Sequence, residues 1–225
     1  MSNQRSINKG KNKFYLSFGK RIFDLALTLP VLIALSPIII IAALLIRVFL
    51  GSPVLFRQLR PGLREKPFAI FKFRTMTDAR NKAGELLPDA ERLTRLGAFL
   101  RKTSIDELPE LFNVLKGDMS LIGPRPLLMS YLPYYTERER LRHKVHPGIT
   151  GLSQVSGRNY LQWDDRLEMD ARYVEEMSFC LDVKIISKTL LQVLKSQDVA
   201  VLPGKVSVFL WQHRQQQQKK KENKS

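Results

Sequence analysis

Two adjacent carboxylates, Asp106 and Glu107, are the residues of this sequence best suited to chemistry. They follow the cationic pair Arg101-Lys102 and precede an apolar run of helical spacing, so they lie at the mouth of a predicted helix. A carboxylate aimed by a helix end can act as a nucleophile, while its neighbour holds a divalent cation or a proton. The simpler alternative is a capping box formed by Ser104 and Glu107, because acids favour the first turn of a helix. The spacing alone leaves both interpretations open.

A second candidate is Arg125, which stands between two prolines in the segment Gly123-Pro124-Arg125-Pro126. Glycine allows backbone to approach a ligand closely, and the prolines restrict the turn. A guanidinium restricted in this way is well placed for bidentate contact with phosphate. A rigid surface turn that carries a solvated arginine explains the same residues equally well.

A third candidate is the glycine-rich segment from His146 to Asn159. It offers backbone N–H groups and hydroxyls, and Gln154 and Arg158 are its candidate side chains for binding a nucleotide or a sugar. Its glycine spacing matches neither a dinucleotide-binding fingerprint nor a P-loop. A structured loop without a ligand is the alternative interpretation.

Lys72 and Arg74 are a further pair of candidate binding residues, on a predicted hairpin. They could line a pocket for an anionic ligand, or they could be strand-edge charges that limit aggregation. The histidines at positions 143 and 146 are too few, and wrongly accompanied, for a zinc site.

The element that must position these residues is an apolar segment from Leu25 to Ile46, which holds 22 consecutive residues without a charge. As a helix it would extend about 33 Å, enough to cross a bilayer core of about 30 Å. Pro30 and Pro37 interrupt it, and Ser36 can satisfy a carbonyl that the second proline leaves without a donor. Basic residues flank both ends, whereas a simple span should carry them on one side.

These features predict a re-entrant membrane helix that bends at Ser36-Pro37 and leaves by the face through which it entered. A kinked transmembrane span and a buried helix of a soluble protein are the alternatives.

The net charge of +16 is concentrated at the two ends of the chain. Residues 1–21 carry six basic residues and no acidic one, and residues 214–225 carry a net charge of +4. Basic arms suit an anionic membrane surface or a nucleic acid, and the apolar segment favours the membrane. The single cysteine, Cys180, excludes an internal disulfide and fits a reducing compartment.

The sequence predicts a helix-dominated α/β fold in which a membrane helix hairpin packs on a compact cytoplasmic domain with a small β-hairpin. Four regions are expected: a basic arm (1–19), the re-entrant helix (20–50), a catalytic domain (51–200) and a basic disordered tail (201–225). Strands are predicted at 54–56 and 68–73, around the turn Pro61-Gly62. Helices are predicted at 91–102, 108–115, 164–177 and 182–196, with Gly117 ending the second. Their apolar faces are predicted to include Leu93, Leu96 and Leu100; Leu108, Leu111, Phe112 and Leu115; Leu167, Ala171 and Val174; and Ile186, Leu190 and Val193.

Several motifs, taken together and in order, resemble those of the bacterial sugar transferases, and in particular the monotopic phosphoglycosyl transferases in their minimal form. They are Lys20-Arg21-Ile22-Phe23-Asp24, Ser36-Pro37, Arg60-Pro61-Gly62, Phe71-Lys72-Phe73-Arg74-Thr75-Met76, the run from Asp106 to Leu115, Gly123-Pro124-Arg125-Pro126 and Pro147-Gly148-Ile149-Thr150-Gly151. The resemblance covers about residues 18–200.

This resemblance implies transfer of a phospho-sugar from a UDP-sugar to undecaprenyl phosphate, with release of UMP, at the cytoplasmic face of the bacterial inner membrane. It implies that Asp106 is the nucleophile that forms a covalent phosphosugar–aspartate, that Glu107 is its partner in the pair, and that Arg125 holds phosphate. It also implies assistance by Mg²⁺, which Asp106 and Glu107 would hold. An anionic membrane is the expected surface partner.

Two rival classes remain open at this level. The first is a basic membrane-surface scaffold without catalytic activity, in which Asp106 and Glu107 only cap a helix. The second is a nucleic-acid-binding protein that uses the basic arms and the arginines near residues 92–102, although nucleic acid is not the expected partner. The sequence leaves the identity of the sugar open.

Overall fold

The computed structural model describes residues 15–157, 161–194 and 209–222. Helices dominate this part of the chain, and the expected small hairpin is present. The α-helices are α1 (Lys20–Phe49), α2 (Asp89–Arg92), α3 (Arg95–Lys102), α4 (Glu110–Lys116), α5 (Glu137–Arg140), α6 (Leu152–Val155), α7 (Trp163–Glu176), α8 (Phe179–Leu194) and α9 (Leu210–Glu222). The strands are β1 (Leu55–Pro61), β2 (Pro67–Phe73), β3 (Ser120–Ile122) and β4 (Gly148–Thr150).

Helix α1 is one continuous helix of 30 residues that includes both prolines of the apolar segment. The Ser36 hydroxyl donates to the carbonyl of Ile33 at 2.8 Å, as its position predicted. Ile33 is the residue whose carbonyl would otherwise accept from position 37, where proline has no N–H. The helix therefore continues through Ser36-Pro37, because the Ser36 side chain replaces the missing backbone donor.

Both ends of α1 are fixed to the rest of the protein. Near its start, Arg21 donates to the carbonyls of Val114 and Leu115, at 2.5 and 2.9 Å. Near its end, the buried Ala42 and Ile46 pack in one apolar cluster. That cluster also contains Phe73 of β2 and Leu100 of α3. Residues about 20 positions apart on α1 thus contact the same folded domain.

The outward face of α1 is apolar and exposed. Its large exposed side chains include Leu29, Val31, Ile33, Ile38, Ile40, Ile41, Leu44, Leu45, Val48 and Phe49. Only 11% of the most apolar 18-residue window is buried within the protein, so the helix is not a core helix. A patch of this size marks a surface that another apolar phase covers.

Strands β1 and β2 form an antiparallel hairpin that runs in register from Leu55 opposite Phe73 to Pro61 opposite Pro67. The side chain of Asn113, on α4, accepts from the Phe71 N–H at 2.9 Å and donates to the Ala69 carbonyl at 2.8 Å. It therefore occupies the edge of β2 that faces away from β1, where an unpaired strand edge would otherwise be left. This contact fixes α4 against the hairpin.

Strands β3 and β4 are parallel, with Ser120 opposite Gly148 and Ile122 opposite Thr150. A Cβ atom on Gly148 would lie 2.0 Å from the Gly123 nitrogen, so only glycine fits there. Two glycine-containing motifs that are distant in sequence are thereby packed backbone against backbone. The turn that carries Arg125 leaves this small sheet directly after β3.

One predicted helix is divided. Residues 91–102 do not form a single helix, because α2 ends at Arg92 and Leu93 pairs with Met76 in an isolated β-bridge. Thr94 then caps α3 by accepting from the Gly97 N–H at 2.9 Å. Threonine is a favoured N-cap residue, and this signal was missed.

The helix predicted at 164–177 is confirmed as α7, whereas two predicted apolar faces are partly wrong. In α4, Glu110, Asn113 and Val114 are buried while Phe112 is exposed. In α8, Ile185 is buried while Leu190 and Val193 are exposed. In both helices polar side chains are buried because they bond to neighbouring elements, which periodicity of apolar residues does not reveal.

The disordered tail predicted for 201–225 is wrong for the part that forms α9. Leu210 is fully buried in an aromatic cluster with Tyr131, Tyr135 and Trp163. Arg214 pairs with Glu139 and with Asp164. Residues 201–208 and 223–225 of that tail lie outside the described residues, as do residues 1–14 of the basic arm. At the end of the predicted arm, Tyr15 is buried and donates to Asp182, so this part of the arm packs on the domain.

Replacing Leu210 with alanine tests the packing of α9. The change should lower the free energy of unfolding by about 2–3 kcal/mol, because it removes buried apolar atoms and leaves a cavity. Gln216→Ala is the matched control, since Gln216 is exposed on the same helix and should change stability by less than about 0.5 kcal/mol. Denaturant unfolding in detergent measures both variants. Equal stability of the two would show that α9 does not pack on the aromatic cluster.

Candidate active site

The adjacent carboxylates do not cap a helix. They lie on a short 3-10 turn, Ile105–Glu107, and the side chain of Ser104 makes no capping hydrogen bond. Ser104 instead adopts a left-handed backbone conformation with φ of 56°, which costs a non-glycine residue about 1 kcal/mol or more. The capping-box interpretation is therefore wrong, and the strained turn aims the two carboxylates inward.

Asp106 is buried and lines a large cavity. Its carboxylate makes no hydrogen bond or ion pair with any residue in the described part of the chain. Burial, followed by repulsion from Glu107, raises the pKa of Asp106 to about 6, although Lys72, Arg101 and Arg125 oppose the shift. An uncommitted carboxylate of this kind keeps its oxygens available for reaction.

Glu107, in contrast, is held on both sides by cations. Lys72, on β2, contacts its Oε1 at 2.6 Å. The guanidinium of Arg125 donates to both oxygens of the same carboxylate. Its Nη2 donates to Oε1, and its Nη1 lies 3.4 Å from Oε2. Burial alone would raise the pKa of Glu107, but Arg125 and then Lys72 outweigh it and hold the pKa well below its usual range. The structure thus brings together four of the predicted site residues: Lys72, Asp106, Glu107 and Arg125.

Glu110 is a member of this cluster that the sequence interpretation missed. Its carboxylate is almost fully buried, and Lys72 lies 3.1 Å from its Oε1. Burial and then repulsion from Glu107 raise the pKa of Glu110 to about 7. The signal was available, because Glu110 stands three residues after Glu107 and so falls on the same helical face.

Arg142 is a second missed residue, and it supports the turn that carries Arg125. It donates to the Arg125 carbonyl at 2.6 Å and to the Tyr135 hydroxyl at 2.8 Å. Its side chain forms a buried ion pair with Asp170 at 2.9 Å. Asp170 also accepts from Ser153 at 2.8 Å, so the pair is hydrogen-bonded on both sides. No sequence motif marked this pair, since its members are 28 residues apart.

The cavity around Asp106 has a volume of about 1580 Å³ and is partly open to solvent. Cationic side chains outnumber acidic ones among its lining residues, which also include Val31 and Leu35 of α1. The cavity therefore offers a positive electrostatic environment with an apolar helix along one side. Such a site suits an anionic substrate that carries apolar groups.

The remaining predicted binding residues are Arg74, Gln154 and Arg158, and the first two also bond to other parts of the fold. Arg74 borders the cavity but bonds to the carbonyls of Ser52 and Met76, both at 3.0 Å, and to Asp78 at 2.6 Å. Gln154 also borders it, and donates to the Ile149 carbonyl at 2.9 Å. Arg158 lies outside the described residues.

The side chains of the site decide whether it can hold a divalent cation. No group of three histidine, cysteine or acidic side chains within the described ranges is arranged to hold a metal ion. Magnesium, however, is often held by one or two carboxylates together with phosphate oxygens of a substrate. Asp106 and Glu107 fit such a shared site and do not fit an all-protein cage.

Comparison with known proteins identifies the family. A match to the bacterial sugar transferase family covers residues 15–196. This chain therefore belongs to the bacterial sugar transferase family, as the ordered motifs predicted. The prediction of a phosphoglycosyl transferase is confirmed at the level of the family.

Relatives include a Bacillus subtilis protein named uncharacterized sugar transferase EpsL, which is 54% identical over 180 residues, 80% of this chain and 89% of that protein. A UDP-glucose:undecaprenyl-phosphate glucose-1-phosphate transferase of Klebsiella pneumoniae is 41% identical over 76% of this chain and 39% of its own length. An undecaprenyl-phosphate galactose phosphotransferase of Salmonella typhimurium is 38% identical over 85% of this chain and 43% of its own length. The aligned region thus spans about two fifths of the last two relatives.

Replacing Asp106 with asparagine should stabilise the protein. The folded-state pKa of about 6 lies above the ordinary 3.8, so the ionised carboxylate destabilises the fold. One pKa unit corresponds to about 1.4 kcal/mol, and the gain should be on the order of 1–3 kcal/mol. The folded state binds the extra proton between these two values, so wild-type stability falls as pH rises from about 4 to about 6. The advantage of Asp106→Asn should therefore be complete at pH 7 and vanish below about pH 4.

Thermal unfolding in detergent at pH 4, 5.5 and 7 measures this difference. Asp165→Asn is the control, because Asp165 is exposed and its substitution should change stability by less than about 0.5 kcal/mol. A destabilised Asp106→Asn protein at pH 7 would mean that the carboxylate is a structural group.

Proposed function

We propose that this protein transfers a phospho-sugar from a UDP-sugar to undecaprenyl phosphate, giving undecaprenyl-diphospho-sugar and UMP. The observation that carries the proposal is the buried, unpaired carboxylate of Asp106 beside the paired carboxylate of Glu107. The names of the relatives supply the acceptor and two possible sugars, glucose and galactose. The choice of sugar for this chain stays open.

In the first step, an Asp106 oxygen attacks the β-phosphorus of the UDP-sugar. The new bond joins the carboxylate oxygen to phosphorus, and the bond from that phosphorus to the bridging oxygen breaks, so that UMP leaves with both bonding electrons. Asp106 must be ionised to attack, and its pKa of about 6 allows this near neutral pH. Nearby Lys72, Arg101 and Arg125 offset the repulsion between the carboxylate and the diphosphate.

In the second step, a phosphate oxygen of undecaprenyl phosphate attacks the same phosphorus. The bond between phosphorus and Asp106 breaks, and the carboxylate is restored. Glu107 keeps Lys72 and Arg125 in place during both steps, because the two cations share its oxygens.

Magnesium is the proposed metal, and Asp106 and Glu107 would hold it together with the bound donor. When bound, it would supply positive charge to the diphosphate and to the departing UMP. Removal of divalent cations by a chelator should therefore abolish turnover.

A membrane position for α1 follows from the chemistry of the acceptor. The phosphate of undecaprenyl phosphate lies at the headgroup level while its chain stays in lipid. Both ends of α1 contact the same domain, and its outward face is apolar. These contacts favour a re-entrant, monotopic arrangement at the cytoplasmic face of the inner membrane over a span that separates the two ends.

A donor half-reaction tests the nucleophile. Incubation of the wild type with UDP-sugar labelled at the β-phosphate, without lipid, should leave label on the protein in a hydroxylamine-sensitive bond, mapped to Asp106. Asp106→Asn should lose the label and UMP release, while Asp165→Asn keeps both. Labelling should slow about tenfold for each pH unit below about 6, because the fraction of ionised Asp106 falls.

The opposite result would be UMP release that strictly requires the lipid, with no retained label. That outcome would favour direct transfer between donor and acceptor, and Asp106 would then be a metal ligand.

Cysteine labelling tests the topology of α1. In a Cys180→Ser background, single cysteines at Phe18 and Ser52 flank the helix on either side. Both should react with an impermeant maleimide only after the cytoplasmic face is made accessible. A protein in which one of the two sites reacts from outside the cell would have a transmembrane α1.

A further inference from the structure

One wall of the cavity carries more guanidinium groups than the proposed reaction uses. The cavity is lined by Arg60 of β1, by Arg142 of the segment after α5 and by Arg166 of α7, as well as by Arg125. They come from distant parts of the sequence, so no local motif accounts for their convergence. We call Arg60, Arg125, Arg142 and Arg166 the arginine wall.

Arg125 and Arg142 of the wall are paired with acids. Arg125 binds Glu107, and Arg142 binds Asp170 in the buried pair described above. Arg60 differs from both, because the hydrogen bond of its guanidinium goes to the neutral Oε1 of Gln58 at 2.6 Å. Within the described residues its Nε is also buried without a hydrogen-bond partner.

The electrostatics of the wall show crowding of like charges. Burial and then repulsion from Arg125 lower the pKa of Arg60. Burial also lowers the pKa of Arg166; Asp170 opposes this shift, whereas Arg125 and Arg142 add to it. Burial raises the pKa of Tyr131, whereas the charges of Arg60 and Arg166 both oppose that rise, so the two arginines act on the same phenol.

Cations that are desolvated together are costly unless an anion joins them. A doubly charged oxyanion bound in the cavity beside these arginines would relieve the repulsion and give Arg60 a charged acceptor. Arginine is suited to the task, because its planar fork binds phosphate in a bidentate manner.

We propose that Arg60, together with Arg166 and the neighbouring face of Arg125, forms a second phosphate-binding subsite, separate from the phosphorus that Asp106 attacks. The inference rests on the proposed function, in which three phosphate groups take part. One is the β-phosphate attacked by Asp106. The anion at the arginine wall is then either the α-phosphate of the donor, which leaves in UMP, or the phosphate of the lipid acceptor.

The donor half-reaction and the complete reaction separate these two sources. Arg60→Met should raise the half-saturating UDP-sugar concentration for protein labelling by about 10- to 100-fold if the anion is the α-phosphate. If the anion belongs to the lipid, labelling stays normal and the KM for undecaprenyl phosphate rises by a similar factor. Arg60→Lys should fall between wild type and Arg60→Met, because it keeps the charge and loses the fork.

Arg172→Met is the control, because Arg172 is an exposed arginine that does not line the cavity. Calorimetric titration with UMP gives a readout independent of turnover, and UMP affinity should fall in Arg60→Met if the donor supplies the anion. Thermal unfolding without ligand should show Arg60→Met as stable as the wild type or more stable, because repulsion has been removed.

The proposal is overturned if Arg60→Met folds normally and leaves both KM values and UMP affinity within about twofold of the wild type. A folded Arg60→Met protein that loses only kcat also overturns it, because Arg60 would then act on the chemical step. Failure of the proposed function is a different result, since the wild type itself would then form neither labelled protein nor UMP.

Discussion

The rest of the site depends on the two ion pairs that Lys72 and Arg125 form with the carboxylate of Glu107. They join a strand, a 3-10 turn and the turn after β3, three elements that are far apart in sequence. Loss of either cation would leave part of the charge of the Glu107 carboxylate uncompensated in a partly exposed site. Because Glu107 binds both cations, neither of them pairs with Asp106 among the described residues. In the proposed reaction this leaves the Asp106 carboxylate available for attack.

The surrounding elements keep that arrangement rigid. Asn113 fixes α4 to the edge of β2, which sets the position of Lys72. Arg142 holds the carbonyl of Arg125, which sets the position of the guanidinium on the other side. The left-handed Ser104 turns the chain so that the two carboxylates enter the cavity. Each of these contacts is a hydrogen bond or a backbone constraint, and none depends on apolar packing alone.

Polar contacts also attach the start of the apolar helix α1 to the domain. Lys20 pairs with Asp182 at 2.7 Å, and Asp24 accepts from the Ser120 hydroxyl at 3.0 Å. The far end is held by apolar packing of Ile46 against Phe73. Polar bonds at one end and packing at the other attach the helix to the domain and leave its apolar outer face exposed. In the proposed function this face contacts lipid.

The sequence by itself determined the family, the apolar segment, the hairpin around Pro61-Gly62 and the candidacy of Asp106, Glu107 and Arg125, because these depend on residue order and local periodicity. It also predicted that Ser36 replaces the donor missing at Pro37, since that bond is local to one helical turn. Only the tertiary structure decided between a capping box and a paired carboxylate at Glu107. It likewise revealed Glu110, the Arg142–Asp170 pair and the packing of α9. The physical reason is that burial, pairing and pKa depend on charges that meet across long sequence separations, which no local pattern encodes.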